Sequence, residues 1–379
     1  EHCIKALGNP ILPGYTASKI RWLHNHKRDA YDALDSILLP HDYLNYYLTG
    51  EKFTECGDAS GTGLLDIKTR QWHRGMLQAL DPDRDLTPCL PPLIAAGDIG
   101  GRLLPAVADQ LGLPHGIPVA CGGGDNMMAA LGTGNISPGR LTISLGTSGT
   151  LFAYSDTPCI DPQGELAAFC SSSGGWLPLL CTMNCTVATE LARDLFALEI
   201  SSLETLLRDS GPGANGVTVL PFYNGERTPN LPNGKGCIMG LDPDNMSRAN
   251  IMQASMEAAV FGLRGGLNAF SRVGCQIGDI RLTGGGSKNA AWRQMVADNF
   301  ALPVRTMALD EGAALGAAMN ALLTHQGVSQ GSETVSLLDE HIRFDDESTA
   351  IPNPDNTALY NESYERYLQY LEQVKPLFK

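Results

Sequence analysis

Three glycine-rich turns carry the residues best suited to chemistry, and each follows an apolar run that reads as a strand. Gly122-Gly123-Gly124-Asp125-Asn126 follows Val119-Ala120-Cys121 and opens a helix at Met127. Glycines let backbone approach a ligand closely, and Asp125 then projects a carboxylate from the strand's end. Such a carboxylate suits a general base that takes a proton from an attacking hydroxyl, although the same residue also suits a helix N-cap. Leu145-Gly146-Thr147-Ser148-Gly149-Thr150 joins two strands, 141–145 and 150–154. Its N–H groups and the Thr147 hydroxyl form either a phosphate nest or an ordinary hairpin turn. Thr283-Gly284-Gly285-Gly286-Ser287-Lys288-Asn289 lies between strand Ile280-Arg281-Leu282 and a helix from about Ala290. Three glycines ahead of a helix can cradle a nucleotide, with the helix N-terminus supplying partial positive charge.

No dinucleotide fingerprint Gly-x-Gly-x-x-Gly with its acidic partner occurs, and no Gly-x-x-x-x-Gly-Lys-Ser/Thr loop. A nucleotide site here is therefore of another kind, and a nicotinamide oxidoreductase is disfavoured. Gly312 and Gly316 read as small faces of one helix that permit close packing. Cys181 and Cys185 lack a second ligand pair, so no metal site is expected. Cys121, Cys170, Cys237 and Cys275 read as small buried hydrophobes. Asp58 reads as a turn-capping residue, Arg227 as a partner of Glu226 or a phosphate contact, and Asp345-Asp346-Glu347 as a solvated acidic run. Tyr360, Tyr364, Tyr367 and Tyr370 step along the last helix as a packing stripe.

The elements that must position these turns alternate between helix and strand. Residues 15–50 read as a helix, a strand at Ile37-Leu38-Leu39-Pro40 and a second helix ending at Gly50. Further helices are expected over 186–198, from a cap at Ser247 to a stop at Gly274, over Glu311 to about Thr324, and over about 356–375. Strand Pro303-Val304-Arg305 separates two of them. No repeat of 20–50 residues is present. A chain of 379 residues predicts two domains, divided at the Pro114 to Pro118 breaker cluster into 1–117 and 118–379. The fold class is α/β. The charge is −14, from 27 basic and 41 acidic residues, which removes the main driving term for nucleic-acid binding. No run of 18 apolar residues is present to span a membrane.

Two longer patterns add a resemblance. Gly14-Tyr15-Thr16-Ala17-Ser18-Lys19-Ile20-Arg21-Trp22-Leu23-His24-Asn25-His26 resembles the first signature of the FGGY carbohydrate kinases at every specified position. Gly236-Cys237-Ile238-Met239-Gly240-Leu241, and eight residues later Asn250 to Glu257, resembles the second. The resemblance implies the two-domain actin/hexokinase/Hsp70-like, ribonuclease H-like fold with a cleft between the domains. It implies ATP and Mg²⁺ as cofactors and a small-molecule sugar as substrate; the cysteine usage itself reads as that of a reduced, cytoplasmic protein, with no nucleic-acid or membrane partner expected. A homodimer is among the assemblies the resemblance allows. Asp125 matches the family's base, with Asn126 beside it at the substrate. Gly146, Thr147, Ser148 and Gly149 match a phosphate loop, and Gly284, Gly285, Gly286 and Asn289 match the adenosine side. Gly57 to Thr62, Gly122 to Asn126, Ile143 to Phe152 and Gly225-Glu226-Arg227-Thr228-Pro229 look most like the branch that phosphorylates D-xylulose to its 5-phosphate. A kinase of ribulose, gluconate or glycerol, or a non-catalytic nucleotide-binding regulator, is the alternative. The family's first phosphate loop, Asp-x-Gly-Thr, has no counterpart before Gly14. The first domain is accordingly expected to be incomplete, by on the order of a hundred residues.

Overall fold

A computed structural model describes residues 2–309, 311–328 and 331–378. Its centre is a seven-stranded mixed sheet of β1 (Gly139–Leu145), β2 (Gly149–Ala153), β3 (Ala167–Cys170), β4 (Trp176–Thr182), β5 (Ile277–Thr283), β6 (Val304–Met307) and β7 (Phe344–Ala350). The spatial order is β7-β6-β5-β1-β2-β4-β3. Strands β1, β5 and β6 run parallel, and the others join antiparallel. The strands buried on both faces are rich in Leu, Ile and Val, as a doubly covered sheet requires.

The helices that bear on the site are α1 (Thr16–His26), α2 (Pro40–Thr49), α3 (Cys56–Ala59), α4 (Asp125–Gly132), α5 (Thr186–Leu195), α6 (Arg248–Arg272), α7 (Ala290–Phe300), α8 (Gly312–Gln326) and α9 (Pro354–Val374). One sheet face is covered by α6, α7 and α9, whose Val260, Phe270, Val296 and Tyr367 meet Ile143, Leu145 and Leu151. The other face is covered by α4 and α8, whose Met128, Leu131, Met319 and Leu323 meet Phe152, Leu177 and Leu179. Leu151 and Phe152 are neighbours yet serve opposite layers, because side chains alternate along a strand. Each such fully buried side chain contributes about 2 kcal/mol.

Local rules explain most element ends. Ser247 accepts the Asn250 N–H at 3.2 Å and starts α6, a cap that contributes about 1 kcal/mol. Gly50, at φ 77°, ends α2 in the left-handed region. Tyr360, Tyr364 and Tyr367 are buried, and the last two pack on Phe261 of α6, so the stripe is a packing stripe.

Three readings change. Ile37 to Leu39 is extended chain outside any sheet, because Pro40 takes the first position of α2 and the segment is its lead-in. Asp345-Asp346-Glu347 is the exposed, solvated run expected of it, carried on β7, an edge strand. Glu55, not Asp58, caps α3: its carboxylate accepts the Gly57 N–H at 2.6 Å and the Asp58 N–H at 2.5 Å. Cys237 and Cys275 are half-buried, whereas Cys121 and Cys170 are buried. Among the described residues no helix is long and apolar enough to cross a membrane.

Candidate active site

Parallel pairing of β5 with β1 aligns Leu282 with Ile143 and Thr283 with Ser144, so both strands end at one edge of the sheet. The turns that follow them are therefore neighbours. Gly284, at φ 85°, passes so close to β1 that a Cβ there would stand 2.8 Å from the Leu145 carbonyl oxygen. The hairpin is pinned from its other side, where the Thr186 N–H donates to the Gly146 carbonyl at 3.0 Å and the Cys185 N–H to the Thr147 carbonyl at 3.1 Å.

These turns open on a cavity of about 390 Å³. Gly146 and Thr147 line one part of it, and Gly285, Gly286 and Asn289 line another. Met252 and Met256 of α6 with Trp292 of α7 give it an apolar wall, while Thr186, Thr189, Glu190 and Arg193 of α5 give it a polar one. A Cβ on Gly285 would meet nothing within 4 Å, so this glycine keeps space open rather than relieving a clash. Gly286 does the reverse: a Cβ there would stand 2.8 Å from the Leu145 side chain and 2.9 Å from Trp292. The Asn289 side chain accepts the Trp292 N–H at 2.9 Å and so caps α7 beside the cavity. Ser148, Gly149 and Gly284 shape the turns without lining the cavity. The α5 wall carried no motif that could have marked it in the sequence, whereas Met252 and Met256 of α6 fall within the Asn250 to Glu257 pattern.

Asp125 lies outside this cavity, as the first residue of α4. Gly124 occupies the cap position, so the N-cap alternative for Asp125 is not what the chain adopts. One carboxylate oxygen accepts the Asn126 N–H at 2.7 Å and the Asn126 side-chain amide at 3.1 Å; the side chain is exposed. Asn126 thus orients Asp125. The carboxylate is felt at the hairpin end of the sheet: burial pushes the Cys181 thiol up, Arg227 opposes this, and Asp125 adds to it. Cys181 pairs with Thr150, the residue that follows the hairpin turn.

Behind the first turn stands a group of ionisable side chains that the sequence did not bring together. Glu55 is fully buried and its carboxyl is pushed up to about 7, chiefly by burial. The His41 imidazole lies 2.6 Å from one Asp58 oxygen and 3.0 Å from Asp42. Burial disfavours its charged form, but Asp58 and Asp42 outweigh burial and raise its pKa. Asp58 and Glu55 stand 3.1 and 3.3 Å from where Cβ atoms on Gly124 and Gly123 would lie, a tight approach that a side chain there would have to push back. Only contacts between α2, α3 and the turn reveal this packing. Arg227 does not pair with Glu226. Instead the Glu226 carboxylate accepts the N–H groups of Met183 at 2.6 Å and Arg227 at 2.7 Å, and the Asn184 amide at 2.9 Å. Among the described residues no group of three or more His, Cys, Asp or Glu side chains could hold a metal ion.

The N-terminal domain of the FGGY family of carbohydrate kinases matches residues 1–132, and its C-terminal domain matches residues 141–325. A xylulose kinase of Haemophilus influenzae is 44% identical over 97% of this chain and 74% of its own length. A xylulose kinase of Streptomyces coelicolor is 40% identical over 83% of this chain and 62% of its own. The chain thus spans about three quarters of the first relative and less than two thirds of the second. A crystal structure of a xyloylose kinase from Brucella ovis superposes with a TM-score of 0.90 at 29% identity, covering 99% of this chain and 76% of that one. The fold is that of the actin/hexokinase-like sugar kinases. Two matched domains, this identity and the paired glycine turns make the chain a member of the FGGY family of carbohydrate kinases.

Proposed function

We propose that the protein transfers the γ-phosphoryl group of ATP to a hydroxyl of D-xylulose, giving D-xylulose 5-phosphate and ADP, with Asp125 as general base. The observation that carries this reading is the convergence of Gly146, Thr147, Gly285, Gly286 and Asn289 on one cavity. Its apolar wall of Met252, Met256 and Trp292 suits a purine, and the hairpin amides suit phosphates. The sugar comes from the relatives' names.

The sugar hydroxyl oxygen forms a bond to the γ-phosphorus, the bond from that phosphorus to the β–γ bridging oxygen breaks, and ADP leaves with the bonding pair. Asp125 accepts the hydroxyl proton, held in place by Asn126. Phosphoryl transfer is mostly positioning and charge stabilisation, so one base and a few amides are a sufficient protein contribution. With no cluster of three ligands among the described residues, magnesium would be held mainly by the nucleotide phosphates and would neutralise their charge. A reducing, cytoplasmic setting suits ten cysteines none of which is in a disulfide.

The test is ADP formation by the purified protein with ATP, magnesium and D-xylulose, run beside D-ribulose, gluconate, glycerol and a sugar-free blank. ADP that depends on D-xylulose supports the reading. Equal or greater turnover with another acceptor reassigns the sugar. Nucleotide binding without turnover is what a missing first phosphate loop predicts, and turnover still absent once that loop is supplied upstream points to a regulator.

A further inference from the structure

Two cysteines far apart in sequence, and unused by the proposed reaction, meet sulfur to sulfur. Cys159 lies in the connection after β2, and Cys275 lies in the turn after α6. Their Sγ atoms are 3.3 Å apart, 116 positions apart along the chain. The thiols are both free.

Their approach is imposed by the scaffold. Arg272, three residues before Cys275, makes two parallel bonds of 3.0 Å to the carboxylate of Asp161, two residues after Cys159, and a third of 2.6 Å to Glu165. A bidentate pair fixes geometry as well as charge. Asp161 also accepts the N–H groups of Gln163, Glu165 and Leu166. On the other side, Cys275 donates its N–H to Phe270 at 3.0 Å, closing the turn through Gly274 at φ 81°. The two backbones are thus clamped to each other beside the sulfurs, which lie at contact distance.

The pair also differs chemically from the other cysteines. Burial pushes the thiols of Cys56, Cys170 and Cys185 up to between about 11 and about 12. Contact with the Cys275 sulfur lowers the Cys159 thiol from its usual value and raises that of Cys275, so a thiolate forms on one sulfur with its neighbour as the proton-bearing partner. Cys275 is half-buried and opens the pair to a small oxidant.

We propose that Cys159 and Cys275 are a modification site, a dithiol that a hydroperoxide oxidises reversibly to a disulfide. The Cys159 thiolate attacks one peroxide oxygen, the O–O bond breaks, and the departing hydroxide takes a proton and leaves as water. The Cys275 sulfur then attacks the resulting sulfenic sulfur, the S–O bond breaks, and a second water leaves with the remaining thiol proton. Two thiols lose two electrons and two protons, and one hydrogen peroxide becomes two waters. The bridge would join the β2–β3 connection to the C-terminal end of α6, the helix whose N-terminal half walls the nucleotide cavity.

The folded protein is treated with a small excess of hydrogen peroxide, its free thiols are blocked, and the remaining disulfides are reduced and labelled with a second reagent before peptide mass mapping. The expected result is that Cys159 and Cys275 carry the second label together, that unreduced digests contain the two peptides linked with loss of two hydrogens, and that dithiothreitol reverses both. In Cys159→Ser, Cys275 should keep the first label. Peroxide-treated wild-type protein in which both cysteines still take the first label, or reach sulfinic acid without linkage, overturns the proposal, and that result needs no variant to fold.

Discussion

Gly316 of α8 and Met128 of α4 meet backbone to backbone, so that a methyl group on Gly316 would stand 1.7 Å from the Met128 carbonyl oxygen. Gly132 repeats the contact one turn further on, where a Cβ would stand 1.9 Å from the Gly312 carbonyl oxygen. Asp125 is the first residue of α4, so its position depends on two helices packed at the closest approach that glycine allows.

Gly316→Ala must therefore push α4 away from α8. Overpacking of this kind costs typically 1–3 kcal/mol, and a backbone overlap belongs at or above the upper end, about 3 kcal/mol. Denaturant unfolding should show that loss, and any folded fraction should lose turnover as well. An unchanged midpoint would mean that the helices are not in contact.

Asp125→Asn keeps the size of the side chain and its bonds to Asn126 while removing the basic oxygen. A general base contributes about 10²–10⁴ in rate, so kcat should fall by about a thousandfold while calorimetric ATP affinity stays within about twofold. Turnover near the wild-type rate would remove Asp125 from the role of base.

Adjacent glycines should respond oppositely. Gly285→Ala places a methyl in open space on the cavity wall, so the protein should melt as the wild type does but bind ATP about tenfold less well, a difference of about 1.4 kcal/mol. Gly286→Ala drives the same methyl into Leu145 and Trp292 and should lower the melting temperature. Equal melting of the two variants would contradict the geometry of the turn.

Glu257 gives a pH dependence with a definite sign. It is buried on α6, accepts the Gly213 N–H at 2.7 Å and the Gln253 amide at 2.8 Å, and is pushed up from 4.5 to about 7, chiefly by burial. A raised pKa means that the folded state holds a proton that the unfolded state releases. Its stabilising effect is complete below the unfolded value and is lost as pH rises to about 7, a change of about 3 kcal/mol. Glu257→Gln keeps an acceptor oxygen without the charge. Melting between pH 5 and 8 should fall less steeply in this variant than in the wild type, and equal slopes would assign the pH dependence elsewhere.

Much of the scaffold was legible where its cause is local. Ser247 and Gly274 bracket α6 because a cap and a left-handed stop act within one turn of chain. The β1–β2 hairpin follows from glycines between two alternating strands, and the close packing of α8 from the spacing of Gly312 and Gly316. Elsewhere the deciding cause was distant. Phe344–Ala350 is a strand only because β6 offers it an edge, and its acidic run gave no such sign. Asp58 looked like a turn residue because nothing near it in sequence names His41 as its partner.

The sequence by itself determined three glycine turns and a carboxylate of the types that phosphate binding and proton transfer call for, since residue type sets what a backbone can approach and what a side chain can accept. Tertiary structure decided which turns share a cavity, what stands behind Asp125, and which cysteines touch. Those relations join residues far apart in the chain, such as Thr283 with Ser144, and exist only once strand register and helix packing have set the distances.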